Sequence, residues 1–167
     1  MDWTLRALLP GDLPGLAAVQ IACYGEGLVE STAVFARRLA SPANASLVIT
    51  RAGQVCAYLA AYRSCYGKVT PLHGDFMPST TPDTLYLHDM AVHPACAGQG
   101  LAQRLVSTAW SQAPELTHTA LVSVQDSQAY WQRYGYAVQT LAHPIERRHL
   151  ASYGDGAVYM ARALPSG

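Results

Sequence analysis

Cationic runs, long apolar stretches and paired metal-ligand motifs are all missing from this sequence, and each absence removes a class of function. Only 13% of the residues are charged, and eleven basic residues balance eleven acidic ones. No lysine- or arginine-rich run occurs, so the electrostatic footprint of a nucleic-acid binder or of a protein held on an anionic membrane is lacking. A local basic pocket for one small anion is still compatible with a neutral chain. The opening MDWTLRALLPGDLPG has no cationic start followed by an apolar run and does not read as a signal peptide. No stretch approaches the roughly 18 apolar residues of a membrane-spanning helix. The four cysteines (Cys23, Cys56, Cys65, Cys96) show no CxxC spacing, and the six histidines form no HExxH pair. Reduced thiols, a cytoplasmic location and no metal are therefore expected.

What is present is enough apolar residue to build a core. Half of the 167 residues are hydrophobic, which suits one domain spanning 1–167 and argues against disorder. Trp3–Leu9 reads as a short strand. Gly11-Asp12 offers an N-cap to a helix carrying Leu13, Leu16, Ala17 and Ile21, and Ser31 caps a second helix with Val34, Phe35 and Leu39. Ser46–Thr50 and Gln54–Arg63 are apolar runs on either side of Arg51-Ala52-Gly53, a hairpin signature. Residues 64–83 form a long connection rich in Pro, Gly, Ser and Thr, with Tyr66, His73 and Phe76; long connections of this kind are often functional.

Thr84–Val92 reads as a strand stopped by His93-Pro94, followed by a glycine turn, Ala97-Gly98-Gln99-Gly100, and a helix bearing Leu101, Leu105 and Ala109 at i, i+4 spacing. Thr119–Val124 predicts a strand and Ser127–Tyr134 a helix ended by Gly135. Tyr136–Leu141 and Ala157–Leu164 predict two last strands. The order β-α-α-β-β-β-α-β-α-β-β gives an α/β (α+β) fold, with a mixed sheet and helices on both faces. Glycines 98 and 100 let a ligand approach the backbone, and the unpaired N–H groups of the helix that follows make an anion site. Neither a Walker A loop nor a GxGxxG fingerprint is present, since no Gly-Lys-Ser/Thr follows and Gln103 stands where a third glycine would be.

Val92, Pro94, Gly100 and Ala102, followed about thirty residues on by Tyr130, Gly135 and Tyr136, resemble two motifs of the GNAT superfamily of acetyl-CoA-dependent N-acyltransferases. The first is V-x-P followed by Arg/Gln-x-x-Gly-x-Gly/Ala, and the second resembles A-x-x-F-Y-x-x-x-G-F. Asp12 and Leu13 after the opening strand also look like that family's N-terminus. The resemblance implies acetyl-CoA as co-substrate, held by Met90, Ala91 and Val92, by the turn Ala97, Gly98, Gln99, Gly100, Leu101 and Ala102, and by Ser127 and Trp131. It implies acetyl transfer to a primary amine of a small molecule. The alternatives are a protein or peptide N-acetyltransferase and a CoA-binding domain with little turnover; a homodimer is left open.

Strict alternation along Thr84–Val92 puts Tyr86, His88 and Met90 on one face and Asp89 and Ala91 on the other, an arrangement that a bulge would break. His88 is the candidate base, because imidazole titrates near neutral pH; Asp89 is its understudy and Tyr86 the third catalytic candidate. Tyr24, Glu26, Glu30 and Tyr62, with Phe35 and the 64–83 loop, are candidates for contacting the acceptor. Two positions depart from the family pattern. Ala97 stands where Arg or Gln is usual, which removes one phosphate contact. Trp131 stands where many members carry the tyrosine that protonates the leaving thiolate, so water or Tyr153 is left to supply that proton.

Overall fold

The computed structural model describes residues 2–24 and 28–165. Seven strands form one sheet in the order β1-β2-β3-β4-β5-β7-β6: β1 (Thr4–Ala7), β2 (Leu47–Arg51), β3 (Gln54–Ser64), β4 (Thr84–Val92), β5 (His118–Ser123), β6 (Ala137–Val138) and β7 (Val158–Ala163). Only β4 and β5 pair in parallel; every other neighbour is antiparallel. The parallel pair needs a crossover, which α3 (Leu101–Ser111) supplies. Helices α1 (Leu13–Cys23), α2 (Thr32–Ala40) and α5 (Pro144–Ala151) lie on one face of the sheet. Helices α3 and α4 (Gln128–Gln132) lie on the other, so the fold is a mixed sheet covered on both sides.

Sequence dictates most of these elements locally. Leu13, Leu16, Val19 and Gln20 form the buried stripe of α1. Ser31 caps α2, its side chain accepting from the Val34 N–H. Asp12 does not cap α1: its carboxylate instead takes two bonds from Arg6 and one from the Leu9 N–H, across a 3-10 turn at Pro10–Asp12. The strand expected over Tyr136–Leu141 shrinks to two residues. Tyr136 packs in the core on the α3 side and Leu141 in the core on the α1 side, so the chain must wrap the sheet edge between them. The helix α5 is absent from the reading of the sequence because none of its residues is fully buried. Its signals were terminal ones: Pro144 at the start, Glu146 in the first turn, and Arg148 and His149 in the last.

The 65–83 connection contains no helix or strand yet is packed. Val69 and Phe76 are buried, and Phe76 stacks on Tyr62 with ring centroids 4.3 Å apart. Among the described residues, no helix is long and apolar enough to cross a membrane.

The β2–β3 turn offers a test of the register. Arg51 pairs with Gln54, leaving a two-residue loop in which Ala52 and Gly53 have φ of 51° and 77°. Both central residues of a type I′ turn require positive φ, and Asn-Gly satisfies this best. Ala52→Asn is expected to stabilise the protein by about 0.5–1 kcal/mol, seen as a higher urea midpoint at unchanged slope. A lower midpoint would mean that the turn is not of this type.

Candidate active site

The site is built where β4 leaves β5. Their pairing runs from Thr84 opposite His118 to Leu87 opposite Leu121 and stops there, while β4 continues to Val92 on its β3 side alone. At the same point β4 bulges. Asp89 pairs with Ala60 and Leu87 with Ala61, so His88 has no partner on β3. An inserted residue reverses the alternation beyond it. Tyr86, His88, Asp89 and Ala91 therefore face α1 and α2, whereas Met90 joins Leu85 and Leu87 on the α3 side. The grouping read from strict alternation is thus corrected by one residue of register.

A cavity of about 320 Å³ opens in the gap between the two strands. Leu87, Leu121 and Trp131 line it from the α3 side of the sheet, and Tyr24 and Tyr153 from the α1 side. Consecutive residues of the bulge, His88 and Asp89, both border it, each side chain held in a separate polar network, with that of His88 only 1% exposed. His88 Nε2 lies 3.0 Å from Glu30 Oε1, and its Nδ1 lies 3.3 Å from the Tyr153 hydroxyl, which itself donates to the Thr70 carbonyl at 2.6 Å. Glu30 is in turn gripped by both terminal nitrogens of Arg38, at 2.8 and 2.6 Å, and by the His73 N–H. The Arg38 and Glu30 side chains are 1% and 2% exposed. Burial alone would raise the Glu30 carboxyl, but the Arg38 and His88 contacts outweigh it and hold the group well below the usual carboxylate range.

Asp89 has no such cation in contact. Tyr58 donates to Oδ2 and the Tyr24 hydroxyl lies 2.7 Å from Oδ1. Burial pushes this carboxyl up, against the opposing pull of the two tyrosines. The Tyr24 hydroxyl is also 2.8 Å from the Met90 carbonyl, and the Cys23 thiol donates to the Val92 carbonyl at 3.1 Å. Side chains at the end of α1 thus occupy backbone acceptors along the free length of β4.

Beyond β4 the chain makes a 3-10 turn at Pro94–Cys96, then passes through Gly98 and Gly100 with φ of 78° and 73° into α3. A Cβ built on either glycine would meet nothing within 4 Å, so their backbone conformation, not crowding by the protein, demands glycine. The first backbone bond into α3 is from the Arg104 N–H to the Gly100 carbonyl. The N–H groups of the helix's first turn thus lack helical acceptors and face open space, which suits a diphosphate.

A family model described as Acetyltransferase (GNAT) family matches residues 15–136. The chain belongs to the GNAT acetyltransferase family. Among solved structures, GphF, a GNAT-like decarboxylase in complex with isobutyryl-CoA, aligns at a TM-score of 0.74 and 16% identity, over 97% of this chain and 100% of that one. The ribosomal-protein-S18-alanine N-acetyltransferase from Escherichia coli aligns at 0.68 and 17% identity, over 99% and 96%. The GNAT family N-acetyltransferase YhbS from Escherichia coli, in complex with CoA, aligns at 0.64 and 19% identity, over 99% and 83%. At these identities the likeness carries the fold and not the acceptor. A search of curated protein sequences gave no significant match.

Within the GNAT fold, the residues singled out from sequence separate into groups. His88, Asp89, Met90, Ala91, Val92, Ala102, Ser127 and Trp131 line the cavity, together with Tyr24 and Glu30. Ala97, Gly98, Gln99, Gly100 and Leu101 form the turn at the start of α3 and do not line the cavity. Tyr86 is fully buried behind His88, and its hydroxyl has no hydrogen-bond partner among the described residues. Tyr62 is buried on Phe76 and bonded to Thr70, away from the cavity. Glu26 lies outside the described residues. Glu30 reaches the cavity but is already saturated by Arg38, His73 and His88, so it holds its neighbours in place and does not offer a free charge. Leu72 brings the 64–83 connection, expected to contact the acceptor, to the cavity wall; Tyr153 lines it without having been named as an acceptor contact, and Arg38 was not singled out at all. Nothing local in the sequence marks Arg38, because its partner Glu30 lies ahead of the helix that carries it and the pair forms only on folding.

The raised Asp89 carboxyl sets a sign for stability. A carboxyl that binds its proton more tightly when folded contributes fully below its unfolded value, 3.8. That contribution is lost as pH rises through the folded value. Asp89→Asn mimics the neutral form, so its stability relative to wild type should increase between about pH 4 and neutrality, measured by urea unfolding at each pH. Parallel curves would place Asp89 among ordinary carboxylates.

Proposed function

We propose that this GNAT protein transfers the acetyl group of acetyl-CoA to the primary amine of a small molecule. The observation that carries the reading is the cavity itself: it opens where β4 parts from β5, and its lining joins Ala102, in the first turn of α3, to His88 and Asp89. In this reading the N–H groups at the start of α3 hold the diphosphate and the apolar walls from Leu87, Leu121 and Trp131 receive the pantetheine arm. The co-substrate supplies an activated acyl group as a thioester.

An alkylamine is protonated near neutral pH, its pKa being about 10 by analogy with lysine, and must lose a proton before attack. His88 takes that proton. Glu30, kept ionised by Arg38, accepts the Nε2–H and so fixes the imidazole tautomer, which leaves Nδ1 to take the proton; the Tyr153 oxygen, its own proton given to the Thr70 carbonyl, accepts the Nδ1–H so formed. This is the nucleophile-activating logic of a base oriented by a third group. Because both carboxylates at this end are already satisfied, they have little left for a second cation. The walls contributed by Leu28, Leu72, Tyr24 and Tyr153 favour an amine on a compact apolar or aromatic body.

Thiol release from acetyl-CoA should be measured against separate pools of arylalkylamines, polyamines and short peptides. Release with the first pool is expected; release with peptides alone would make the chain a peptide N-acetyltransferase, and CoA binding without release from any pool would make it a binding domain. His88→Ala should lower turnover on the order of 10²-fold with CoA affinity unchanged. Ala102→Glu places an anion where the helix dipole tolerates it but where a diphosphate would be repelled. Its dissociation constant for CoA should rise at least roughly tenfold, about 1.4 kcal/mol, and unchanged affinity would remove the diphosphate from this turn.

A further inference from the structure

The family position that would carry a tyrosine acid holds Trp131, whose indole N–H does not act as an acid near neutral pH. The proton for the leaving sulfur needs another source, and the hydrogen-bond inventory around Asp89 supplies one. Tyr24 has a single hydroxyl proton but two oxygens at bonding distance, Asp89 Oδ1 at 2.7 Å and the Met90 carbonyl at 2.8 Å. If Asp89 is ionised, it takes that proton and the Met90 carbonyl loses its partner. If Asp89 is neutral, every group is satisfied: Asp89 donates to Tyr24, Tyr24 to Met90 and Tyr58 to the other Asp89 oxygen. Of these groups, Tyr24 and Asp89 line the cavity.

We propose that Tyr24, backed by a protonated Asp89, is the acid that delivers the proton to the leaving sulfur, an assignment that rests on the acetyl-transfer reading above. The amine, whose ammonium proton has already passed by way of His88 to solvent, bonds through nitrogen to the acyl carbon and gives a second N–H proton to His88 as the carbon–sulfur bond breaks. The electron pair of that bond takes the Tyr24 hydroxyl proton, and the Asp89 proton passes to the Tyr24 oxygen. Asp89 is left as a carboxylate, His88 holds the proton lost by the amine, and exchange with water resets both. Two consecutive residues of one bulge thereby serve opposite ends of the reaction, each through a tyrosine that lines the cavity: Tyr153 beside His88, and Tyr24 beside Asp89.

The groups that bear on Asp89 come from every neighbouring element. They are Tyr24 and Cys23 at the end of α1, Tyr58 on β3, His88 on β4, and Glu30 ahead of α2. The last is fixed as an anion by Arg38 and disfavours a second charge nearby. Burial also raises the Tyr24 hydroxyl, which keeps its proton in place until a base stronger than water arrives.

The test uses the full chain with Tyr24→Phe and Asp89→Asn. Asparagine keeps the bonds to Tyr24 and Tyr58 but has no proton to pass on, so a purely structural role would leave its turnover near wild type. Both variants should lose on the order of 10²-fold in turnover with acetyl-CoA at unchanged CoA affinity. Both should recover toward wild type with an acetyl thioester of a more acidic aryl thiol, which leaves without a proton. Independently of turnover, the Asp89 carboxyl 13C signal, identified by its loss in Asp89→Asn, should titrate above the ordinary aspartate value of about 3.9. An active wild type whose Tyr24→Phe variant is unimpaired, or equally impaired with both thioesters, would overturn the acid assignment and leave acetyl transfer standing. An Asp89 signal already ionised at about pH 4 would also overturn it. A wild type that binds CoA but releases no thiol with any amine would overturn the acetyl-transfer reading and this assignment with it.

Discussion

The parting of β4 from β5 after Leu87 and Leu121 is the constraint on which the rest of the molecule depends. A sheet that stayed paired would have no cavity, and a strand that parted without a bulge would turn Asp89 away from the side occupied by His88. The unpartnered His88 at the bulge reverses the alternation. It brings two titratable side chains to one face beside the gap, while Met90 and Val92 stay with the α3 core. Free backbone along the second half of β4 would be costly to bury unpaired. Tyr24 and Cys23 at the end of α1 bond two of its carbonyls, so the geometry of the gap is tied to the helix that borders it.

Around this gap the protein manages two buried carboxylates in opposite ways. Glu30 is an anion because Arg38 reaches it with two parallel bonds, and that guanidinium lies over the rings of Phe35 and Phe76, 5.2 and 5.0 Å from their centroids. Removing one partner from such a pair leaves an uncompensated charge, at a cost of about 3–5 kcal/mol. Asp89, its neighbour on the same cavity, has the Tyr24 and Tyr58 hydroxyls as its side-chain partners, and burial raises its proton affinity. Groups pushed in opposite directions within one cleft are a recurrent basis for dividing acid from base work. The 65–83 connection takes part in this division. It sends the His73 N–H to Glu30 and the Thr70 carbonyl to Tyr153, and it contributes Leu72 to the cavity wall.

Much of this was legible in the amino-acid sequence where local chemistry decides the outcome. The bounds of β4, the Ser31 cap and the glycine turn into α3 follow from alternation, a side-chain oxygen and a backbone that only glycine readily adopts. His88 and Asp89 were visible because ionisable side chains in an apolar strand need a reason. Features set by tertiary pairing were not legible. The bulge appears only when β4 is laid against β3, and so Met90 and Asp89 exchange the faces that strict alternation gives them. Tyr62 and Tyr86 read as site tyrosines but are core, since a tyrosine on a strand carries no mark of which layer it will fill. Glu30 read as a free charge for the acceptor, and only Arg38, eight residues on, shows that it is spent on orientation. The α5 helix escaped because its termini, and not an apolar face, specify it.

Both the acetyl-transfer chemistry and the acid role of Tyr24 require the gap between β4 and β5 to receive a thioester. A crystal structure with acetyl-CoA tests this most directly. The predicted result places the diphosphate on the N–H groups at the start of α3, the pantetheine arm between β4 and β5, and the thioester sulfur within reach of the Tyr24 hydroxyl. Acetyl-CoA bound elsewhere, or a sulfur on the far side of Trp131 from both Tyr24 and His88, would contradict it.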